Sequence, residues 1–284
     1  MSNPVFSSSP VFGERRGGSG RPAPAAYGAY GAAGTAGTVA ADAGALEQMY
    51  GAPAATTRDT GRLTYDDVIV KTGGLLLLLV AVAAVTWQVA PQIWPIGMVV
   101  GLVLGLVNAF KREPSPVLIT LYTIAEGVFL GGISLAFQNM TLDSSTGTAE
   151  PIVLQAILGT FATFGAALFL FRSGRVRVTP KFTRWLLIAI VGYAAFSLLN
   201  FVLAFFVASE GFGPLRNGPM GILVGLLAVG LAAASLIVDF DAIQRGVRQG
   251  VPAKYAWSAA FGLVVTLVWL YLEILRLLAI FNRN

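Results

Sequence analysis

The sequence predicts an all-α, polytopic membrane protein, a seven-transmembrane-helix bundle preceded by a disordered N-terminal tail. Three observations carry that prediction. Apolar residues make up 56% of the 284-residue chain against 12% charged, and they fall in long blocks rather than amphipathic stripes, which is the composition of a chain whose solvent is lipid. Lys and Arg gather in alternate connections between those blocks. The first 63 residues, in contrast, are rich in Gly, Ala, Ser and Pro and poor in aliphatics.

Taken in order, residues 1–63 carry small-residue runs such as Tyr27-Gly28-Ala29-Tyr30-Gly31-Ala32-Ala33-Gly34. Such a segment buries too little apolar surface to offset its conformational entropy, so it reads as a disordered cytoplasmic tail. No charged region followed by an apolar stretch and cleavage site opens the chain, so the first apolar block is expected to serve as a retained insertion signal. Order is expected from Thr64, which can cap a helix with Asp67 three residues on, giving a transmembrane domain over 64–284. The apolar blocks within it are 72–90, 95–110, 117–137, 151–171, 184–207, 219–241 and 257–281. Most reach the roughly 20 residues that a bilayer-crossing helix needs, and the short second block fits a packed bundle.

The basic residues fix the expected orientation, because those near short loops are retained on the cytoplasmic side. Arg58, Arg62 and Lys71 precede the first block, Lys111 and Arg112 follow the second, Arg172, Arg175, Arg177, Lys181 and Arg184 surround the connection after the fourth, and Arg245, Arg248 and Lys254 follow the sixth. The opposite side has only Arg216 and Arg283. The alternation supports seven crossings, with the N-terminus inside and the C-terminus outside. It also accounts for the net positive charge better than a nucleic-acid partner does.

Glycines at four-residue spacing let helix backbones approach in lipid. Gly97, Gly101 and Gly105 line one face of the second block, Gly127 and Gly131 one of the third, and Gly221 and Gly225 one of the sixth. These faces are expected to be internal seams, or a surface through which the chain pairs with itself.

The chain has neither Cys nor His. This removes thiol catalysis, imidazole metal sites and Cys- or His-ligated haem, and leaves carboxylates, hydroxyls and amides. There is no Gly-x-Ser-x-Gly elbow and no Lys on the last helix for a Schiff base, so an enzyme and a retinal protein are both disfavoured, and no cofactor is expected. The informative residues are acids inside apolar blocks, where ionised groups are costly and are retained for ion or proton pathways. Asp239 and Asp241 are two apart, ~200° around the helix, so one is expected to face the bundle and the other the interface. Glu273 has Arg276 three residues on, on the same face, and can form a structural ion pair with it. Alternatively Glu273 reaches Asp241 on the neighbouring helix, where two close carboxylates share a proton and form a pH switch. Glu126 sits in the middle of the third block with no basic residue nearby in sequence and reads as pore-lining or gating. Asn108 and Asn200 are expected to bond between helices, and Asp143 and Glu150 to lie in an outer loop.

Phe240-Asp241-Ala242-Ile243-Gln244 on the penultimate block and Tyr271-Leu272-Glu273-Ile274-Leu275 on the last, in that order on seven helices, resemble the bacterial branch of the Bax inhibitor-1 (transmembrane Bax inhibitor motif) family. The resemblance covers residues 64–284. It implies a bundle with the last helix central and a pH-sensitive calcium leak across the bacterial inner membrane. It also implies a gating pair of acids on the last two helices, which motif matching assigns to Asp241 and Glu273, with weak, transient calcium contact there. The last-helix acid in that family is usually Asp, so Glu273 is one methylene longer, and Arg276 could neutralise it. An acid on the second helix, present in some members, is absent here. If the last helix entered the membrane at Trp257, Glu273 would lie roughly 24 Å deep. The pairing therefore requires residues 253–262 to form an interfacial or re-entrant piece, with the crossing starting near Gly262.

The expected activity is a cation leak, most readily for calcium given an all-oxygen ligand repertoire. Asp241 and Glu273 would gate it, and Glu126, Asp239 and Arg276 would line its path. The alternative is a non-conducting regulator of a membrane protease or stress response.

Overall fold

The computed structural model describes residues 61–140, 151–176, 178–204, 206–207 and 213–282. The expectations for residues 1–60, Asp143, Glu150, Arg177 and Arg283 lie outside them. Seven helices long and apolar enough to cross a membrane account for nearly all of the described residues, and the only extended pairing among them is an isolated bridge between Arg62 and Pro252. The helices are α1 (Tyr65–Val89), α2 (Trp94–Phe110), α3 (Pro116–Asn139), α4 (Ile152–Arg172), α5 (Pro180–Leu203), α6 (Gly218–Gln249) and α7 (Ala256–Phe281), with short 3-10 turns at Pro91–Ile93 and Ala253–Tyr255.

Helix starts follow local chemistry. Thr64 caps α1: its hydroxyl accepts from the Asp67 N–H at 3.1 Å, while the Asp67 carboxylate accepts from the Thr64 N–H at 3.2 Å, so two otherwise unpaired donors are satisfied. The Thr179 hydroxyl accepts from the Phe182 N–H and caps α5 with that single bond. Pro occupies the first turn of α2, α3, α5 and α6, where a missing N–H costs nothing. Order begins before Thr64. The Leu63 N–H donates to the Val251 carbonyl and the Ala253 N–H to the Gly61 carbonyl, both at 2.8 Å, and Leu63 is buried against Phe240 and Ala256.

α7 is the centre of the bundle. Thirteen of its residues are buried around its circumference, against two each on α2 and α5. Lipid can satisfy an apolar face as well as a neighbour can, so it is this burial on every side, and not apolarity alone, that marks α7 as the core helix. Leu263, Leu267 and Leu270 pack toward α6 and α4, Ala260, Val264 and Val268 toward α1 and α3, and Leu275 and Ala279 toward Phe137, Ile152 and Ala156. Not all six other helices enclose it equally: α1, α3, α4 and α6 form the direct shell, while α2 packs behind α3. α5 reaches α7 through Tyr193, whose ring lies 5.7 Å from that of Trp269.

The glycine faces are internal seams. A Cβ on Gly97 would lie 2.7 Å from the Phe129 backbone nitrogen, and one on Gly127 2.7 Å from the Val82 Cβ, so α2 meets α3, and α3 meets α1, at backbone distance. Gly225 admits Leu277 of α7 in the same manner.

Two features depart from the sequence reading. α6 does not end with its apolar block at Asp241 but continues to Gln249, where Gly250 closes it in the left-handed region at φ 64°. α7 runs unbroken from Ala256, so residues 253–262 form no re-entrant piece beyond the single turn Ala253–Tyr255.

Candidate functional site

The polar side chains of the bundle lie at three depths. Toward the end carrying the basic loops, Asp241, eight residues short of the α6 terminus, pairs with Arg245 one turn on at 3.0 Å, and Asp67 pairs with Lys71 at 3.8 Å. Between loops, Lys254 donates to Glu113 at 2.9 Å. That hydrogen bond, reinforced by the charge of Lys254, holds the Glu113 carboxyl below its ordinary value of 4.5.

Ten residues in from that end of α6 and α3, and on α6 only two residues beyond Asp241, lie two acids with no ion pair among the described residues. The Asp239 carboxylate accepts a 2.8 Å hydrogen bond from the Thr266 hydroxyl across the α6–α7 seam. Thr266 is ten residues past the start of α7, which puts the pair roughly 15 Å into the bundle. Glu126 is likewise ten residues past the start of α3. It faces α2, where a Cβ on Gly101 would lie 2.9 Å from its Oε1. Its Oε2 is buried without a hydrogen-bond partner, and Tyr122, one turn earlier, is the hydroxyl that interacts with it.

The deepest cluster surrounds Glu273, whose side chain is 3% exposed. Arg276 donates to its Oε2 at 2.7 Å, the Arg216 Nη1 stands 3.9 Å from its Oε1, and the Tyr193 hydroxyl donates to that same oxygen. Arg216 also donates to the Ser197 hydroxyl at 2.7 Å. Two guanidiniums around one carboxylate leave the cluster with a net positive charge.

The structure does not join Asp241 to Glu273. The antiparallel register of α6 and α7 is set by Asp239 opposite Thr266, Gly225 beside Leu277 and Gly221 beside Ile280. From the first of these pairs Asp241 is displaced two residues one way and Glu273 seven the other, a separation of roughly 14 Å along the axis. Each acid is satisfied by arginine at its own level. The shared-proton pair and a calcium contact made jointly by those acids are therefore corrected, because α7 starts at Ala256 without the re-entrant piece the pairing required. Of the alternatives open in the sequence, Glu273 takes Arg276. Of Asp239 and Asp241, the former faces the bundle and the latter the helix end. Asn108 bonds the Leu104 carbonyl of its own helix, and Asn200 accepts from the Leu215 N–H of a loop, so neither of these bonds joins two helices.

Sequence reasoning missed Thr266, Tyr193, Ser197 and the burial of Arg216. The available signal for Arg216 was its place on the side that the alternation otherwise keeps nearly free of cations.

A comparison with curated proteins gives no match. Residues 3–283, nearly the whole chain, match the sequence pattern described as Bax inhibitor 1 like. With seven apolar helices, a central α7 and these motifs on its last two helices, the chain is a multi-pass membrane protein that belongs to the Bax inhibitor 1-like family.

Proposed function

We propose that this protein is a pH-sensitive cation leak, with calcium as the permeating ion, in the bacterial inner membrane, its N-terminus cytoplasmic and its C-terminus outside. The observation that carries this reading is the pair of mid-depth acids, Asp239 and Glu126, held by hydroxyls with no counter-cation among the described residues. A paired acid is a structural element, whereas an unpaired one at this depth is worth its cost when it handles ions or protons. The groups facing these acids are Thr266 from α7 for Asp239, and Tyr122 of α3 with Gly101 of α2 for Glu126; among the described residues no charged side chain is paired with either. Ionised, the carboxylates draw water and cations into the seams; protonated, they let the seams close. Asp241, paired with Arg245 nearer the helix end, stands at the mouth of this path, and Arg276 neutralises Glu273 at its other end. Oxygen-only chemistry suits a hard cation in transit, and the reading requires no catalysis and no cofactor.

Calcium uptake into proteoliposomes across a pH series, with Asp239→Asn and Glu126→Gln, tests the proposal. The expected result is a pH response lost in at least one variant. Unchanged flux and unchanged pH response in both would overturn it.

A second reading, a non-conducting regulator of a membrane protease or stress response, is favoured by the arginine-paired Glu273 carboxylate and by the uncovered apolar faces of α2 and α5. It predicts a partner that co-purifies from the membrane and is lost when those faces are altered, without any ion flux.

A further inference from the structure

Arg216 lies in no helix, yet it is 5% exposed. It belongs to the segment Gly213–Asn217 that leads into α6, and that segment is held by several independent contacts. Its guanidinium lies over the rings of Tyr193 and Phe196 at 5.0 and 5.5 Å. One of its nitrogens donates to Ser197, and another faces Glu273. The preceding Leu215 N–H donates to the Asn200 Oδ1 at 2.9 Å. Gly213, at φ 93°, lets the chain pass Asn200, where a Cβ would come within 2.6 Å of the amide nitrogen. The Arg216 carbonyl rests on the face of Gly221 beside Ile280 of α7.

The seat is also incomplete. The Arg216 Nε is buried with no hydrogen-bond partner among the described residues, and the Arg216 Nη1 stands 3.9 Å from Glu273 against 2.7 Å for the Arg276 Nη1. If Arg216 leaves, Glu273 keeps its shorter partner, so undocking strands no buried charge.

We infer that Arg216 is a cationic stopper, docked between α5, α6 and α7, which seals the end of the bundle where α7 finishes and excludes cations there by its charge. Undocking opens that end and exposes Glu273. The seal stands on the packing alone; its effect on cation passage rests on the leak reading above.

The absence of native cysteine permits a direct test on the full chain. Ile280→Cys, beside the docked segment and 4% exposed in the parent side chain, becomes the sole thiol and is reacted with a polar maleimide in micelles. Slow labelling is expected, rising at least about tenfold when Arg216→Gln is added, because local opening then governs access. Arg216→Lys keeps the charge but loses the planar fork and the stacking, and is expected to label at an intermediate rate. It also serves as the test if the glutamine variant does not fold. Arg276→Gln, which removes a cation from the same carboxylate without touching the segment, is expected to leave labelling unchanged. Equal labelling in the parent and both Arg216 variants overturns the stopper. Calcium uptake separates the two readings: faster labelling with no flux in any variant leaves the stopper standing and removes the leak, whereas parental flux with unchanged labelling does the reverse.

Discussion

Replacing Glu273 by Gln preserves shape and removes one negative charge from a site 3% exposed. The loss strands two guanidiniums: Arg276, hydrogen-bonded at 2.7 Å, and Arg216, whose charge stands 3.9 Å away. At an effective dielectric near 20, charges about 4 Å apart attract by about 4 kcal/mol before desolvation, and breaking a buried pair by removing one partner costs about 3–5 kcal/mol. Glu273→Gln is therefore expected to destabilise the fold by about 3–5 kcal/mol. Arg216→Gln leaves the Glu273–Arg276 pair neutral and intact, and should cost clearly less. The double variant removes one of the stranded cations and should regain at least about 1 kcal/mol relative to the sum of the two single changes. Equilibrium unfolding in mixed micelles with increasing dodecyl sulfate, followed by tryptophan fluorescence, measures all three, since Trp269 lies against Tyr193 of this cluster. A Glu273→Gln protein as stable as the parent, or a double variant whose loss equals the sum of the singles, would refute the electrostatic account.

Gly127→Leu should lower folded yield and cost about 1–3 kcal/mol or more, because its Cβ would fall 2.7 Å from the Val82 Cβ and 2.9 Å from the Leu79 carbonyl oxygen; unfolding and size-exclusion profiles report it. Thr266→Val, which removes the hydroxyl that donates to Asp239, should destabilise the parent by about 1.5–3 kcal/mol but change an Asp239→Asn background much less, as a double-mutant cycle would show. Glu113 pairs with Lys254 at the surface, and its carboxyl is held below 4.5 chiefly by that hydrogen bond. A depressed acid contributes stability above its unfolded value and loses it as pH falls through its folded value. The small difference between parent and Glu113→Gln should therefore be present at neutral pH and close below about pH 4.5 in thermal unfolding.

The membrane-spanning plan was legible because it is written redundantly. Block length and the alternation of Lys and Arg both point to seven crossings, and Thr64 with Asp67 marks the start of the first. The glycine faces were legible for a similar reason, since four-residue spacing on an apolar helix has few other uses. The site was harder to read. Asp241 and Glu273 were matched by motif, but depth is a property of helix register, and register depends on where α7 begins; a continuous helix from Ala256 moves Glu273 well past Asp241. Arg216 was counted as a loop cation because sequence patterns assign loop residues to water. Its burial depends on Tyr193, Phe196, Ser197 and Glu273, which come from two different helices. Thr266 looked like an unremarkable residue of an apolar block until Asp239 lay opposite it.

The paired backbone segments at Gly61–Leu63 and Val251–Ala253 have a mechanical meaning. They splice the root of the first sixty residues to the turn joining α6 and α7, with Leu63 anchored in the apolar interior beside Phe240. A pull or a load on that leading segment is thus delivered to the two helices that carry Asp239 and Thr266, and not to α1 alone.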